Sequence, residues 1–264
     1  MPTKIFLWAL LTINLLFVAH YTVAAENSNQ PNHTLSVSSY YSNGDYGEKE
    51  DTSILYFPVS YGVDYGKFNF QIAIPYLQVN GVGSVLVNVG GINRAVAGTQ
   101  RSHSSGLGDS VFSMTYQMDA VSESAPFIDL RLDIKLPTAD ESKGLGSGEV
   151  DYNLQVDFLK NVGNSLFFST VGYSFRGKSS LYEGLQDSAF VQLGVARPLF
   201  EKWNIGVFYD YRERASVYSS EIHEVTPYFS WQFAKQWTFT GMTSWGFTAD
   251  SADLSVLGQL SYRW

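Results

Sequence analysis

Apolar and polar residues alternate with a period of two through most of this chain. In the segment 126–137, alternate positions are apolar, and the positions between them carry Asp129, Arg131, Asp133 and Lys135. Successive side chains of a β-strand point to opposite faces, so this pattern predicts strands with one apolar and one polar face. We expect twelve strands, at roughly 33–42, 52–62, 66–77, 109–118, 126–137, 150–159, 165–176, 188–198, 203–213, 223–233, 236–246 and 254–264.

The links between these strands alternate in length. Short turns fall near 63–65, 119–125, 160–164, 199–202 and 234–235, and longer links fall at 43–51, 78–108, 138–149, 177–187, 214–222 and 247–253. Short periplasmic turns and longer external loops are typical of outer-membrane barrels. The predicted fold is therefore all-β, an antiparallel up-and-down transmembrane β-barrel of about twelve strands with both termini on the periplasmic side. The 78–108 loop could extend the third and fourth strands, form an extra hairpin, or fold inward as a constriction.

The two ends of the chain suggest export and barrel assembly. Lys4 precedes a mostly apolar run at 5–19, and small residues follow at Val23-Ala24-Ala25, which predicts a secretory signal peptide at 1–25 and a barrel at 26–264. The apolar run is shorter than the roughly 20 residues of a spanning helix. The last strand presents an outward face that ends on an aromatic residue and resembles the assembly signal of outer-membrane barrels. That face consists of Gly258, Leu260, Tyr262 and Trp264.

Location and partners follow from these expectations. We expect integration into the outer membrane of a Gram-negative bacterium, with outer-membrane lipids, periplasmic chaperones and the barrel-assembly machinery as partners. The formal net charge of -8 argues against a nucleic-acid partner. Only 16% of the residues are charged, below the roughly 25% of soluble domains. The chain has no Cys and no pair of His at metal-ligand spacing, so we expect no cofactor and no metal.

The charged faces of the strands should line the lumen. A Lys or Arg on the lipid face at the bilayer midplane costs about 2–4 kcal/mol, whereas the interior of a membrane barrel is polar. Strands five and six are neighbours, so their charges should face one another, and Arg212 or Arg214 should lie near Glu224. The expected lumen-lining residues are Asp129, Arg131, Asp133, Lys135, Asp151, Asp157, Arg176, Asp210, Arg212, Arg214, Glu224 and Arg263.

One segment has the spacing of a catalytic pair. His103 and Ser105 are two residues apart, as in outer-membrane phospholipases, but Gly106 stands where those enzymes carry Asn. The alternative is a solvated, Gly-rich loop that carries a few hydroxyls. We therefore predict no catalytic residues and no enzyme.

Three short motifs resemble a known family. Ile74-Pro75-Tyr76, then Gly106-Leu107-Gly108-Asp109, then Lys135-Leu136-Pro137-Thr138 with the glycines of 144–148 and Asp151 behind it, are similar to a family of outer-membrane transport proteins associated with the meta-pathway of phenol degradation. The resemblance implies a barrel and the passage of small, aromatic or amphipathic solutes, and it supplies no catalytic residues.

The sequence leaves three functions to compare. A narrow channel for passive passage of small solutes would use the interior charges to orient a polar solute. A closed structural or adhesive barrel would use the same charges to plug the lumen. A lipid hydrolase is the third and weakest alternative, and the identity of the solute does not follow from the sequence.

Overall fold

The computed structural model describes residues 30–46, 49–82, 85–88, 91–94, 101–122, 124–179, 182 and 184–264. It also gives the backbone of two three-residue strands, Leu10–Thr12 and Phe17–Ala19, which pair antiparallel. The rest of the predicted signal peptide lies outside the described residues. No helix in the described part of the chain is long and apolar enough to cross a membrane.

Residues 32–263 form the twelve predicted strands. They are β1 Asn32–Gly44, β2 Thr52–Tyr65, β3 Phe68–Val82, β4 in two parts (Arg101–Leu107 and Ser110–Gln117), β5 Phe127–Leu136, β6 Asp151–Val162, β7 Ser165–Phe175, β8 Ser188–Phe200, β9 Trp203–Arg212, β10 Ile222–Ala234, β11 Trp237–Gly246 and β12 Leu254–Arg263. A 3₁₀ turn, Glu141–Lys143, lies in the link between β5 and β6. The positions of all twelve strands confirm the sequence prediction.

Pairing between the first and last strands closes the barrel. Each strand pairs antiparallel with the next, and β12 pairs with β1 so that Leu257 lies opposite Tyr40. At the end of this seam, the His33 N–H donates to the Trp264 carbonyl (2.8 Å) and the Trp264 N–H donates to the His33 carbonyl (3.0 Å). Closure pairs the backbone groups that an open sheet edge would leave exposed to lipid.

The apolar faces of the strands point outward, as predicted. Apolar residues that alternate with the inward polar positions of β5, β6 and β9 lie outside the interior cluster of the barrel: Leu130, Leu132, Ile134, Val156, Phe158, Val207 and Tyr209. Aromatic rings stack in a belt near the short turns. In this belt the ring centroids of Trp203 and Trp231 are 5.1 Å apart, and those of Trp237 and Tyr262 are 4.8 Å apart. Such girdles mark the membrane interfaces of outer-membrane barrels, and the short turns identify this end as the periplasmic one.

The 78–108 loop combines two of the three predicted arrangements. β3 continues to Val82 and β4 begins at Arg101, so both strands extend beyond the expected limits. A short hairpin of Val85–Asn88 and Gly91–Arg94 lies between them. The inward constriction stays untested, because residues 83–84, 89–90 and 95–100 lie outside the described residues.

The other external links fold over the mouth of the barrel. Tyr46, Leu145, Ala215 and Ala252 each come from a different link, and all four are buried. Tyr46 is 1% exposed and has a φ of 48°, a left-handed conformation that is uncommon for a bulky residue. Its hydroxyl donates to Ser42 Oγ on β1 (2.8 Å), which holds the ring inward. Side chains from several loops are thus packed at the external end of the barrel.

Candidate functional site

Charges on neighbouring strands line one side of the interior. On β5 and β6, Asp129 lies opposite Asp157, Arg131 opposite Gln155, and Lys135 opposite Asp151. The expected juxtaposition of these two strands is confirmed. Their inward side chains are buried, which leaves Lys135 only 2% exposed. Buried charges are costly unless they are paired, so their partners determine the stability of this wall.

Arg131 is the central cation of this wall. Its Nε donates to Asp133 Oδ1 (2.8 Å), and Nη2 donates to Ser113 Oγ on β4 (3.1 Å). The Asp157 carboxylate accepts from the Gln155 amide (2.9 and 3.1 Å) and from the Thr170 hydroxyl on β7. We call the inward charged residues of β5 and β6 with these partners the charged wall.

A second charged group lies further around the barrel. Arg212 Nε donates to Asp210 Oδ2 (2.6 Å), and Gln192 Nε2 donates to Asp210 Oδ1 (2.8 Å). Glu224 lies opposite Asp210 on β10, so the expected proximity of Arg212 and Glu224 is present within this group.

The family motifs converge on a single set of contacts around Lys135. Its Nζ lies 2.9 Å from Asp109 Oδ2, 3.1 Å from Asp151 Oδ2 and 2.6 Å from Ser147 Oγ. Asp109 lies in the break between the two parts of β4, Asp151 is the first residue of β6, and Ser147 belongs to the external link between β5 and β6. We call these four residues the clasp, because they join a loop to three strands.

Backbone contacts extend the clasp. The Ala139 N–H donates to Asp109 Oδ1 (2.9 Å), and the Gly108 N–H donates to the Pro75 carbonyl (2.9 Å). A side chain at Gly146 would lie within 2.6 Å of the Asp109 carboxylate, so only glycine fits there. Leu145 packs at Gly106 and is 1% exposed. The clasp therefore holds an apolar loop residue inside the external mouth.

An apolar track crosses the interior from one rim to the other. It is a single contiguous cluster made of Ile54, Tyr56, Leu77, Val79, Tyr40, Leu257, Met242, Tyr228, Phe208, Phe168, Leu166 and Leu159, with Leu145 above it. Ile54 lies near the external start of β2, and Leu159 lies near the periplasmic end of β6. Between these ends, Leu257 lies opposite both Tyr40 and Met242, and Met242 lies opposite Tyr228. The track winds around the wall because the strands are tilted.

Two glycines shape the aromatic part of the track. A side chain at Gly194 would lie 2.2 Å from the Phe168 ring, and one at Gly206 would lie 2.5 Å from the Tyr228 ring. Each ring therefore covers a glycine on the neighbouring strand and lies along the wall. Phe208 lies between them, with centroids 6.4 Å from Phe168 and 6.1 Å from Tyr228.

Hydroxyl groups cover the wall around the closing seam. We call this surface the hydroxyl wall; its members are Ser36, Ser38, Ser42, Ser60, Thr226, Ser230, Thr238, Thr240, Ser244, Ser255 and Ser261, and all are buried. Ser36 and Ser261 are 2.8 Å apart across the seam. Thr226 donates to Ser244 (2.7 Å) and Gln259 donates to Ser38 (3.1 Å). This wall carries no formal charge.

Three of the expected lumen residues lie at the ends of the barrel. Arg263 pairs with Asp64 (3.1 Å) at the periplasmic rim. Arg176 follows the external end of β7 and is partly buried. Arg214 was expected on the lumen wall, but it is exposed in the link after β9, because β9 ends at Arg212. His103 is also exposed, and it lies opposite Asn80 on the extension of β4.

Sequence reasoning missed the apolar track. Its members occupy inward positions that were assumed to be polar, such as Phe208, two residues before Asp210, and Phe168, two before Thr170. An apolar residue within the polar half of an alternating strand is the signal that could have found them.

The fold is that of known outer-membrane barrels. It is similar to an outer membrane channel from Pseudomonas putida F1, with a TM-score of 0.68, 11% identity, and coverage of 92% of this chain and 100% of that one. The fold is also similar to the KdgM porin, with a TM-score of 0.53 and 9% identity, over 86% of this chain and 98% of that one. A third similar structure is the translocator domain of autotransporter NalP from Neisseria meningitidis, with a TM-score of 0.51 and 8% identity, over 91% of this chain and 90% of that one. These likenesses establish the fold.

A family can also be assigned from the sequence. No curated protein sequence matches this chain. The model of the family described as "Putative MetA-pathway of phenol degradation" matches residues 49–264, which span the clasp, the charged wall and most of the track. The chain therefore belongs to that family.

Proposed function

We propose that this protein is a narrow outer-membrane channel for small amphipathic solutes, passed along the apolar track. The observation that supports this most directly is the track itself, a contiguous apolar cluster from rim to rim inside a membrane barrel. The interior of such barrels is ordinarily polar, because it holds water. Sites for small molecules, in contrast, are mostly apolar with a few placed polar groups.

The charged wall complements the track. A solute with a ring and a polar group could place the ring against Phe168, Phe208 or Tyr228 and turn its polar group toward the charges. Ion pairs in a confined, poorly hydrated lumen act over longer distances than they would in water. The membership in a family described by phenol degradation favours aromatic solutes.

The test compares two sulfonates that differ in one ring. The mature chain is refolded and inserted into planar bilayers, and the reversal potential is measured in sodium benzenesulfonate and in sodium methanesulfonate. Both anions are permanently ionised and cross lipid poorly. We expect benzenesulfonate to be at least as permeant as methanesulfonate although it is larger, because the track accepts its ring.

Variants of Met242 show whether the track is responsible. Met242→Gln keeps the length of the side chain but makes the track polar, and should lower the permeability ratio of benzenesulfonate to methanesulfonate several-fold. Met242→Leu keeps the track apolar and serves as the matched control. A ratio governed by size alone in all three proteins would contradict the role of the track.

A closed structural or adhesive barrel is the second candidate. The loop residues over the mouth and the buried state of both interior walls favour it. This alternative predicts a wild-type protein that inserts into the bilayer and stays electrically silent with every solute. Such silence would remove the channel proposal.

A further inference from the structure

Arg176 places a partly buried cation at the external end of the barrel. Its Nη1 donates to the Gln186 carbonyl (2.6 Å) and to Ser188 Oγ (2.8 Å), both uncharged acceptors. Its Nε is buried and has no partner among the described residues. Burial lowers the pKa of the Arg176 guanidinium to about 10, which leaves it charged at neutral pH. Burying the N–H of a charged group without an acceptor is costly, and a ligand anion that accepts from Nε would relieve that cost.

The nearest carboxylates are engaged elsewhere. Asp187 accepts the backbone N–H of Arg176 (2.8 Å). Asp151 is bound by Lys135 in the clasp and accepts the Gly177 N–H (2.8 Å). Within the described chain, no carboxylate oxygen lies within ion-pair distance of the Arg176 side chain.

Asn153 supplies a second unpartnered group close by. It is 0% exposed, and neither its Nδ2 nor its Oδ1 has a hydrogen-bond partner among the described residues. Asn153 lies opposite Ser174, and Ser174 lies opposite Ser188, the residue that Arg176 binds. On its other side lies Asp133, whose charge is already compensated by Arg131. A buried amide with both atoms unsatisfied indicates that something polar occupies this place.

An aromatic surface borders the two polar groups. Phe190 is two residues beyond Ser188 on the same inward face of β8, and its ring covers Gly172 on β7. Gly172 in turn lies opposite Gln155, two residues after Asn153 on β6. The ring of Phe190 is thus available beside the amide and the guanidinium.

We infer that Arg176, Asn153 and Phe190 form a binding subsite for a small aromatic acid near the external end of the lumen. The carboxylate accepts hydrogen bonds from Arg176 Nε and from the Asn153 amide, and the ring of the solute packs against Phe190. This inference deepens the proposed function by naming the solute class. It rests on the proposed function, because the bound acid would leave through the channel.

Equilibrium binding tests the subsite without transport. Sodium benzoate is titrated into the refolded, detergent-solubilised protein, and saturation transfer to the ligand protons is followed by NMR. Acetate lacks the ring and benzyl alcohol lacks the charge, so each should bind more weakly than benzoate. Charge-assisted hydrogen bonds contribute enough that Arg176→Gln should weaken benzoate binding about tenfold.

Matched variants separate the subsite from general charge effects. Lys178→Gln removes an equal charge from an exposed position of the same loop and should leave benzoate binding unchanged. Arg176→Lys should retain part of the affinity, and Asn153→Leu should lose affinity with no change in net charge. Heat-modifiable migration in gels confirms that each variant is folded.

The outcomes distinguish the subsite from the channel. Equal benzoate affinity in wild type and in folded Arg176→Gln overturns the subsite, whatever the conductance. If benzoate binds in an Arg176-dependent manner to a protein that is silent in bilayers, the subsite stands and the channel proposal fails.

Discussion

Two walls of the same barrel interior bury polar side chains in different ways, one through ion pairs and the other through neutral hydrogen bonds. On the charged wall, Lys135 is buried beside two carboxylates from β4 and β6, and Arg131 is buried beside Asp133 of its own strand. On the hydroxyl wall, pairs such as Ser36 with Ser261 meet through a single neutral hydrogen bond. Both walls face inward, and both are largely inaccessible to solvent.

The charged wall sets the electric field in the lumen, whereas the hydroxyl wall sets how much space is left for larger side chains. Removing one partner of a buried ion pair leaves an uncompensated charge, so the charged wall tolerates few changes. Neutral hydroxyls are compact and can be exchanged, and they leave room for the larger track residues Tyr40, Tyr228 and Met242. The electric field across the lumen therefore originates mainly from the charged side, and it points across the apolar track.

The largest expected effect concerns β12, which contributes to the hydroxyl wall on its inner face and to the aromatic girdle on its outer face. Replacing Tyr262 and Trp264 with Ser should abolish insertion, because this face is the expected signal for the assembly machinery. Ser261→Ala changes the inner face of the same strand and should assemble normally. Outer-membrane fractions and heat-modifiable migration measure both. Wild-type levels of the doubly substituted barrel would contradict the prediction.

The next effect tests the clasp. Lys135→Met keeps the length of the side chain but leaves Asp109 and Asp151 buried without their cation. We expect a loss of about 3–5 kcal/mol in the free energy of unfolding. Ser147 also loses its Lys135 contact, so the loop that carries Leu145 should open more often and raise the conductance.

Urea unfolding of the refolded barrel measures the stability of this variant. Lys160→Met is the matched control: Lys160 lies near the periplasmic end of β6 and contacts the Ser124 carbonyl rather than a carboxylate. A loss below about 1 kcal/mol for Lys135→Met would show that the clasp contributes little to stability.

A smaller expected effect, on ion selectivity, tests the contribution of the charged wall to the electric field across the lumen. Arg131→Gln removes one positive charge from the charged wall while Asp129, Asp133 and Asp157 stay in place. The ratio of cation to anion permeability should rise on the order of two- to fivefold, as a local change of roughly 0.5–1 kcal/mol implies. Reversal potentials in a KCl gradient measure the ratio, and an unchanged or lower ratio would count against the lumen field described above.

The barrel could be predicted from the sequence because its main constraint is local. Alternation within a strand such as β5 follows from the pleat, and the cost of placing charge in lipid decides which face points inward. Strand positions, pairing order and the facing of the charged residues of β5 and β6 all followed from these two facts. Arg214 was misplaced because the end of β9 depends on a turn whose chemistry the periodicity does not encode.

The candidate site was predicted only in part, because it depends on contacts between distant segments. Asp109, Lys135 and Asp151 were visible as motif residues, but the convergence of both carboxylates on the lysine depends on contacts between distant segments. Tyr228 and Phe208 belong to the track only because their rings lie across neighbouring strands, one of them over Gly206. The alternation rule assigned such inward positions to water.

The smallest expected effect comes from a paired change in the hydroxyl wall. Thr226 donates to Ser244, and replacing both by Val and Ala removes the donor and the acceptor together. Loss of both partners leaves no unsatisfied group, so stability should change by less than about 0.5 kcal/mol, whereas Ser244→Ala alone should cost about 1 kcal/mol. Ion selectivity should stay at the wild-type value, because no charge is altered. Urea unfolding and reversal potentials on the double variant check both expectations. A loss as large as that of Lys135→Met would mean that the two walls do not differ in the way their chemistry indicates.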